Sequence, residues 1–160
     1  VSTPSVLLNV NYLRDAATIY ANGEEHGFAA ATAHSAGIDL RACLETPVVP
    51  VPAGERVCIP SGVAIEIGQP GVAGFVFSRS GLGAKDGLTV AQGVGVIDPD
   101  YRGEIKVWLL NTSSREQVIE RGQRIAQLVL LPFFAAEVRI CEELGETARG
   151  AGGFGHTGKL

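Results

Sequence analysis

Short β-branched runs separated by glycine and proline organise the chain. Val63-Ala64-Ile65-Glu66-Ile67 puts Val63, Ile65 and Ile67 on one side, the period of a half-buried strand. Ile105, Val107 and Leu109 alternate with Lys106, Trp108 and Leu110 in the same way. Val6–Leu13 reads as a further strand, Phe75-Val76-Phe77 as one that stops at a Ser78-Arg79-Ser80-Gly81 turn, and Ile125–Leu131 as a buried one. Runs this short with turn signals between them predict an all-β sandwich or barrel. Helix signals are thin. Arg14–Tyr20 and the alanine-rich Phe28–Ala33 can each make a turn or two, and a short helix is expected within Ala84–Leu88.

Only the last stretch changes character. Arg149–Leu160 holds five glycines and cannot bury its own backbone as a strand or helix. The expected organisation is one domain: a barrel over 1–148 and a flexible glycine-rich tail over 149–160 that is either disordered or orders on something. No internal repeat or linker divides the chain.

Composition narrows the class. The 160 residues are 46% hydrophobic and 19% charged, which excludes a disordered chain. A net charge of −4 without a basic stripe argues against gripping a nucleic-acid polymer, although a small anion needs only two or three donors. The longest apolar run, Leu128–Ala136, contains Pro132 and is far short of a membrane span. No secretory signal is visible at the N-terminus. Cys43, Cys58 and Cys141 are odd in number and far apart, which argues against a disulfide framework or a zinc site. A cytoplasmic location is expected, with no membrane partner.

Five segments carry candidate chemistry. In Gly95–Glu104, Asp-Pro-Asp is turn chemistry, and a hairpin is expected whose second arm starts at Ile105. Asp98 follows three apolar or glycine positions; it either caps the turn with Asp100 or sits poorly solvated as a general base for water. Ser78-Arg79-Ser80-Gly81-Leu82-Gly83 is either a polar turn or an anion cradle of N–H groups, hydroxyl and guanidinium. Asp39, within Ala36–Ala42, is a structural hydrogen-bond hub or part of a metal-water shell. In Arg121–Leu128, Gln127 shares a face with Ile125 and Val129, an odd place for an amide without a partner. The tail segment Arg149–Gly158 is glycine-rich like phosphate loops but lacks the lysine and hydroxyl of a P-loop. His26, His34 and His156 have no metal-ligand spacing.

Taken in order, Ala36–Ala42, Arg79–Gly83, Gly95–Glu104, Arg121–Leu128 and Arg149–Gly158 resemble the five motifs of the homotrimeric dUTP pyrophosphatases (dUTPases). The resemblance runs from Ala36 to the C-terminus and is loose over residues 1–35. It implies a jelly-roll β-barrel, a homotrimer with shared active sites, and hydrolysis of dUTP at the α-phosphorus to dUMP and pyrophosphate. That reaction supplies dUMP for thymidylate synthesis and keeps uracil out of DNA.

Residue by residue, the resemblance makes Asp98 the catalytic carboxylate that activates the attacking water. Tyr101 corresponds to the aromatic that packs on the deoxyribose and leaves no room for a ribose 2′-OH. Val96 and Ile97 correspond to the backbone that reads the uracil edge, with Gln92 upstream and Lys106 counted among the substrate-binding residues. Arg79, Ser80 and Gly81 correspond to the phosphate turn and Gln127 to a phosphate-side amide. In the tail, Arg149 is expected on the γ-phosphate, helped by Thr157, and Phe154 over the uracil ring. Mg²⁺ is implied through the triphosphate oxygens and water, with Asp39 in the outer shell at most.

Two positions depart from the family pattern: Ser78 stands where proline is frequent and Gln92 where asparagine is. The competing readings are a dCTP deaminase-like enzyme and a non-catalytic nucleotide-binding trimer. The first would need a glutamate after the hairpin, and the nearest acid there is Glu104.

Overall fold

The structure is a computed structural model that describes residues 5–21 and 27–153. Eleven strands and two short helices follow one another as β1 (Leu8–Tyr12), α1 (Ala16–Ala21), β2 (Gly37–Arg41), β3 (Val48–Val51), β4 (Arg56–Pro60), β5 (Val63–Ile67), β6 (Val72–Ser78), α2 (Ser80–Asp86), β7 (Leu88–Val90), β8 (Gly95–Ile97), β9 (Lys106–Asn111), β10 (Gln117–Glu120) and β11 (Arg124–Pro132). They form an all-β barrel of the jelly-roll type. Every pairing is antiparallel. Two layers matter for function: the sheet β2-β11-β6-β8 and the sheet β4-β9-β7, with the ribbons β1-β5 and β10-β3 beside them.

Alternation fixes which side chains face inward. Along β9 the odd positions Val107 and Leu109 are buried while Lys106 and Trp108 are exposed. Ile59, Val63, Ile119, Ile125 and Leu128 meet them in the interior, each less than 2% exposed. Each such side chain stabilises the fold by about 1.5–3 kcal/mol through burial. The helix α1 is fastened through Tyr20, whose hydroxyl donates to the Ser61 carbonyl at 3.1 Å and accepts the Arg41 N–H at 2.9 Å. Burial pushes the Tyr20 pKa upward, so the hydroxyl stays a donor.

Several sequence expectations change. The strand expected over Val6–Leu13 is Leu8–Tyr12, and Phe28–Ala33 forms bends and one isolated bridge, Ala30 with Ile38, instead of a helix. The helix expected within Ala84–Leu88 starts earlier, at Ser80, because Arg79 takes an extended N-cap conformation; it stops at Gly87, whose φ of 75° is left-handed. The largest correction concerns the hairpin. β8 pairs with β6, whereas β9 pairs with β4 and β7, so the two arms enter different sheets. The Asp98–Glu104 segment is therefore a crossover between layers. Among the described residues, no helix is long and apolar enough to cross a membrane.

Beyond β11 the chain leaves the barrel. Residues 133–148 are exposed throughout and contain no helix or strand, and Phe134 and Ile140 are 98% and 99% exposed. Phe133 is still tied to the barrel, its N–H donating to the Gly71 carbonyl at 2.9 Å, whereas Phe134, Val138, Ile140 and Leu144 beyond it stand almost fully in solvent.

Candidate functional site

Outside the tail, the expected site residues line two pockets that share no lining residue. The first, about 300 Å³, is lined by Gln92, Val96, Ile97, Asp98, Tyr101 and Lys106, among others. The second, about 540 Å³, is lined by Asp39, Arg79, Ser80, Gly81 and Gln127, with Gly37 and Ser35 at its side. One chain does not bring the two sets of residues together.

In the first pocket, β8 delivers Val96 and Ile97 to the crossover. Gly95 sits against Val76 and Gln92, where a Cβ would approach Val76 Cβ to 3.3 Å. The Tyr101 N–H donates to the Asp98 carbonyl at 3.1 Å, closing a turn around Pro99 and Asp100. The Tyr101 hydroxyl donates to the Glu104 carbonyl at 2.9 Å. Its ring lies over Gly103, where a Cβ would stand 2.4 Å from the hydroxyl oxygen. Asp98 itself is exposed, which corrects the expectation of a poorly solvated carboxylate. Of the residues before it, Gly95 is buried, Ile97 is partly buried and Val96 is exposed, so they do not enclose its carboxylate.

The second pocket is built on the end of β6. Arg79 donates its Nε–H to Asp39 Oδ1 at 2.8 Å, and Arg124 stands against the other oxygen at 3.4 Å. Asp39 is therefore the hydrogen-bond hub, committed to two guanidiniums. Gln127 resolves its odd placement by donating to the Ser78 carbonyl at 3.0 Å. Gly37 makes room for it: a Cβ there would lie 2.6 Å from Gln127 Oε1. At Gly81 an added Cβ would meet nothing within 4 Å, so the chain's own packing does not call for the glycine. A bare backbone N–H beside a guanidinium and the Ser80 hydroxyl suits an anion.

Three residues escaped the sequence reading. The Ser78 hydroxyl accepts the Val90 N–H at 2.8 Å, linking the end of β6 to β7. Glu104 and Arg14 form an ion pair across the barrel rim. Ser78 was visible only as a departure from a family pattern; the pairing of Arg14 with Glu104, ninety positions apart, left no local trace.

In the tail, Arg149 is exposed and donates to the Gly152 carbonyl at 2.8 Å, lining neither pocket. The expectations for Phe154 and Thr157 lie outside the described residues. No group of three or more His, Cys, Asp or Glu side chains among the described residues is arranged to hold a metal.

Known proteins point the same way. A family model described as dUTPase matches residues 24–158. The deoxyuridine 5′-triphosphate nucleotidohydrolase of Desulfitobacterium hafniense is 52% identical over 128 residues, 80% of this chain and 84% of that protein. A dUTPase variant of Staphylococcus bacteriophage 80alpha, solved with dUpNHpp, superposes with a TM-score of 0.76 at 25% identity, covering 95% of this chain and 98% of that one. A dUTPase variant from phage phi11 of S. aureus, described with a structural Mg(II) ion, shares the fold with a TM-score of 0.69 at 23% identity, over 88% of this chain and 99% of that one. A β-barrel of the dUTPase type is the class that these findings define. The chain belongs to the dUTPase family.

Proposed function

We propose that this chain hydrolyses dUTP to dUMP and pyrophosphate, in a homotrimer whose sites combine pockets from different subunits. One observation carries the reading. The residues assigned here to the nucleoside and those assigned to the triphosphate line two pockets that do not merge within one chain. The exposed apolar arm after β11, which finds no cover in its own chain, supports assembly as well.

In this reading Asp98 takes a proton from water, whose oxygen attacks the α-phosphorus. The bond from that phosphorus to the bridging oxygen breaks and pyrophosphate leaves. Exposure of Asp98 in one chain suits the role, since substrate and neighbouring subunit would supply the desolvation. Tyr101 packs on the sugar, Val96 and Ile97 offer backbone groups to uracil, and Gln92 and Lys106 border the base and sugar. Arg79 keeps its terminal amino groups for the phosphates while its Nε edge is held by Asp39. Ser80, Gly81 and Gln127 complete that side. Arg149, Phe154 and Thr157 belong to a tail, 149–160, that closes over bound nucleotide.

Magnesium enters as part of the substrate. The described residues offer no cluster of acids, and Asp39 is tied to arginines. Mg²⁺ of this kind rides on phosphate oxygens and keeps its waters. The cytoplasm is the compartment we assign.

Deamination of dCTP fits less well. Glu104, the acid it would need, is spent on Arg14 and on the Gly62 N–H, which it accepts at 2.7 Å. Incubation with dUTP should release pyrophosphate, and incubation with dCTP should release no ammonia. Ammonia from dCTP, or no turnover of dUTP, would overturn the reading.

A further inference from the structure

We infer that Arg14, from the N-terminal segment where sequence reading found no purpose, is a positioning residue that sets sugar discrimination by holding Tyr101 through Glu104. This rests on the reading of Tyr101 as the residue that faces the sugar.

The chain of contacts is short. Tyr101 is anchored by its hydroxyl to the Glu104 main-chain carbonyl at 2.9 Å. Glu104 is anchored in turn by its side chain, which is 9% exposed. One carboxylate oxygen accepts the Gly62 N–H at 2.7 Å and an Arg14 Nη2–H; the other accepts from Arg14 Nη1 at 3.3 Å. This is the two-pronged guanidinium–carboxylate geometry that fixes orientation as well as position. The hydrogen bond to Glu104 raises the Arg14 pKa, so the guanidinium stays charged.

Both anchors are set by backbone shape. Arg14 has a φ of 54°, the one non-glycine residue in the left-handed region among those described. That conformation costs energy and persists where surroundings enforce it. Gly62, at φ 72°, lies so close to α1 that a Cβ would stand 2.5 Å from Ala16 Cβ and 2.7 Å from Cys43 Sγ. Its carbonyl accepts the Leu13 N–H at 2.8 Å, while its own N–H goes to Glu104. One residue, Gly62, thus joins the segment that carries Arg14 to the loop that carries Tyr101. The loop is also held at Ile105, whose N–H donates to the Val63 carbonyl at 2.8 Å and whose carbonyl accepts the Ser61 hydroxyl at 2.6 Å. The Arg102–Glu66 pair joins two half-exposed groups and holds more weakly.

The peptide of the Glu104 carbonyl is held on its far side by the Ile105 N–H on the Val63 carbonyl, at 2.8 Å, and on its near side by the Glu104 side chain. With the near hold gone, the peptide turns about the far one and the Tyr101 ring tilts. The pocket then tolerates a 2′-OH. Position matters steeply here, since a misplacement of about 1 Å can cost 10²-fold in rate.

The test compares Arg14→Ala, Arg14→Lys and Glu104→Gln with the parent enzyme, using dUTP and UTP. In Arg14→Ala the ratio of kcat/KM for dUTP over UTP should fall by about 10-fold or more, with Arg14→Lys recovering part of it. Glu104→Gln keeps an acceptor for the Gly62 N–H and should lose less than Arg14→Ala. Amide exchange, read without any substrate, should quicken at Gly62 and Tyr101 in Arg14→Ala. Unchanged discrimination together with unchanged exchange in a folded Arg14→Ala overturns the inference, as does a drop in dUTP and UTP turnover by equal factors. An inactive parent enzyme would instead refute the hydrolase reading, and the exchange measurement would still decide whether Arg14 holds the loop.

Discussion

Asp39 grips Arg79 by its Nε edge, 2.8 Å from oxygen to nitrogen, and leaves the two terminal amino groups pointing the fork's chemistry elsewhere. Both partners are about a quarter to a third exposed, so the pair is only partly screened. Asp39→Asn keeps the acceptor and removes the charge. The expected loss is about 1 kcal/mol of substrate binding, roughly a fivefold rise in KM for dUTP. Steady-state kinetics check it; a fallen kcat with unchanged KM would contradict the assignment.

Asp98→Asn should remove about 10²–10⁴-fold of kcat, the usual contribution of a general base, with little change in nucleotide binding. Asp100→Asn, on the same turn, should cost far less. Single-turnover kinetics with binding measured by calorimetry separate the two.

The proposed sharing of sites between subunits predicts complementation. Asp98→Ala chains keep an intact tail, and chains cut after Gly145 keep an intact Asp98. Refolded together, these two inactive preparations should recover activity that neither has alone. A mixture as inactive as its components would argue for sites built within one chain.

Ser78→Ala deletes the acceptor of the Val90 N–H, a contact of 2.8 Å. The loss should be about 1 kcal/mol, a fall in Tm of about 2–4 °C. Thermal melts report it directly, and an unchanged Tm would mean that water replaces the hydroxyl at no cost.

Glu66 offers a test of acid behaviour. The Asn9 amide, and after it Arg102, hold its carboxyl below the usual glutamate range. A folded pKa below the unfolded one gives stability that is complete above the unfolded value and lost as pH falls through the folded one. Asn9→Ala should move the Glu66 titration midpoint upward by NMR. A midpoint that stays put would show that Asn9 contributes nothing.

Much of this was legible in the sequence. Val63, Ile65 and Ile67 announced β5, Val107 and Leu109 announced β9, and the run through Leu128 announced β11, because alternation and apolar runs are local signals. Strand partnership is not local. Asp98–Glu104 looked like a hairpin because Asp-Pro-Asp is turn chemistry, but β8 and β9 found better partners in β6, β4 and β7. The local pattern left Asp98 open between a turn cap and a poorly solvated base; within one chain it is exposed, since the chain leaves the sheet at Ile97. The Arg14–Glu104 pair joins segments ninety positions apart and could be found only in three dimensions.

The apolar arm after Pro132 has a consequence for the timing of synthesis. Phe134, Val138, Ile140 and Leu144 are all more than 80% exposed, and all follow the last strand of the barrel. On a ribosome adding about 5–20 residues per second, every strand is made before these side chains follow. The sticky segment therefore reaches water only when a completed barrel precedes it. Its exposure endangers the finished single chain more than the half-made one, and the crowded moment in this protein's life is the search for neighbours after release.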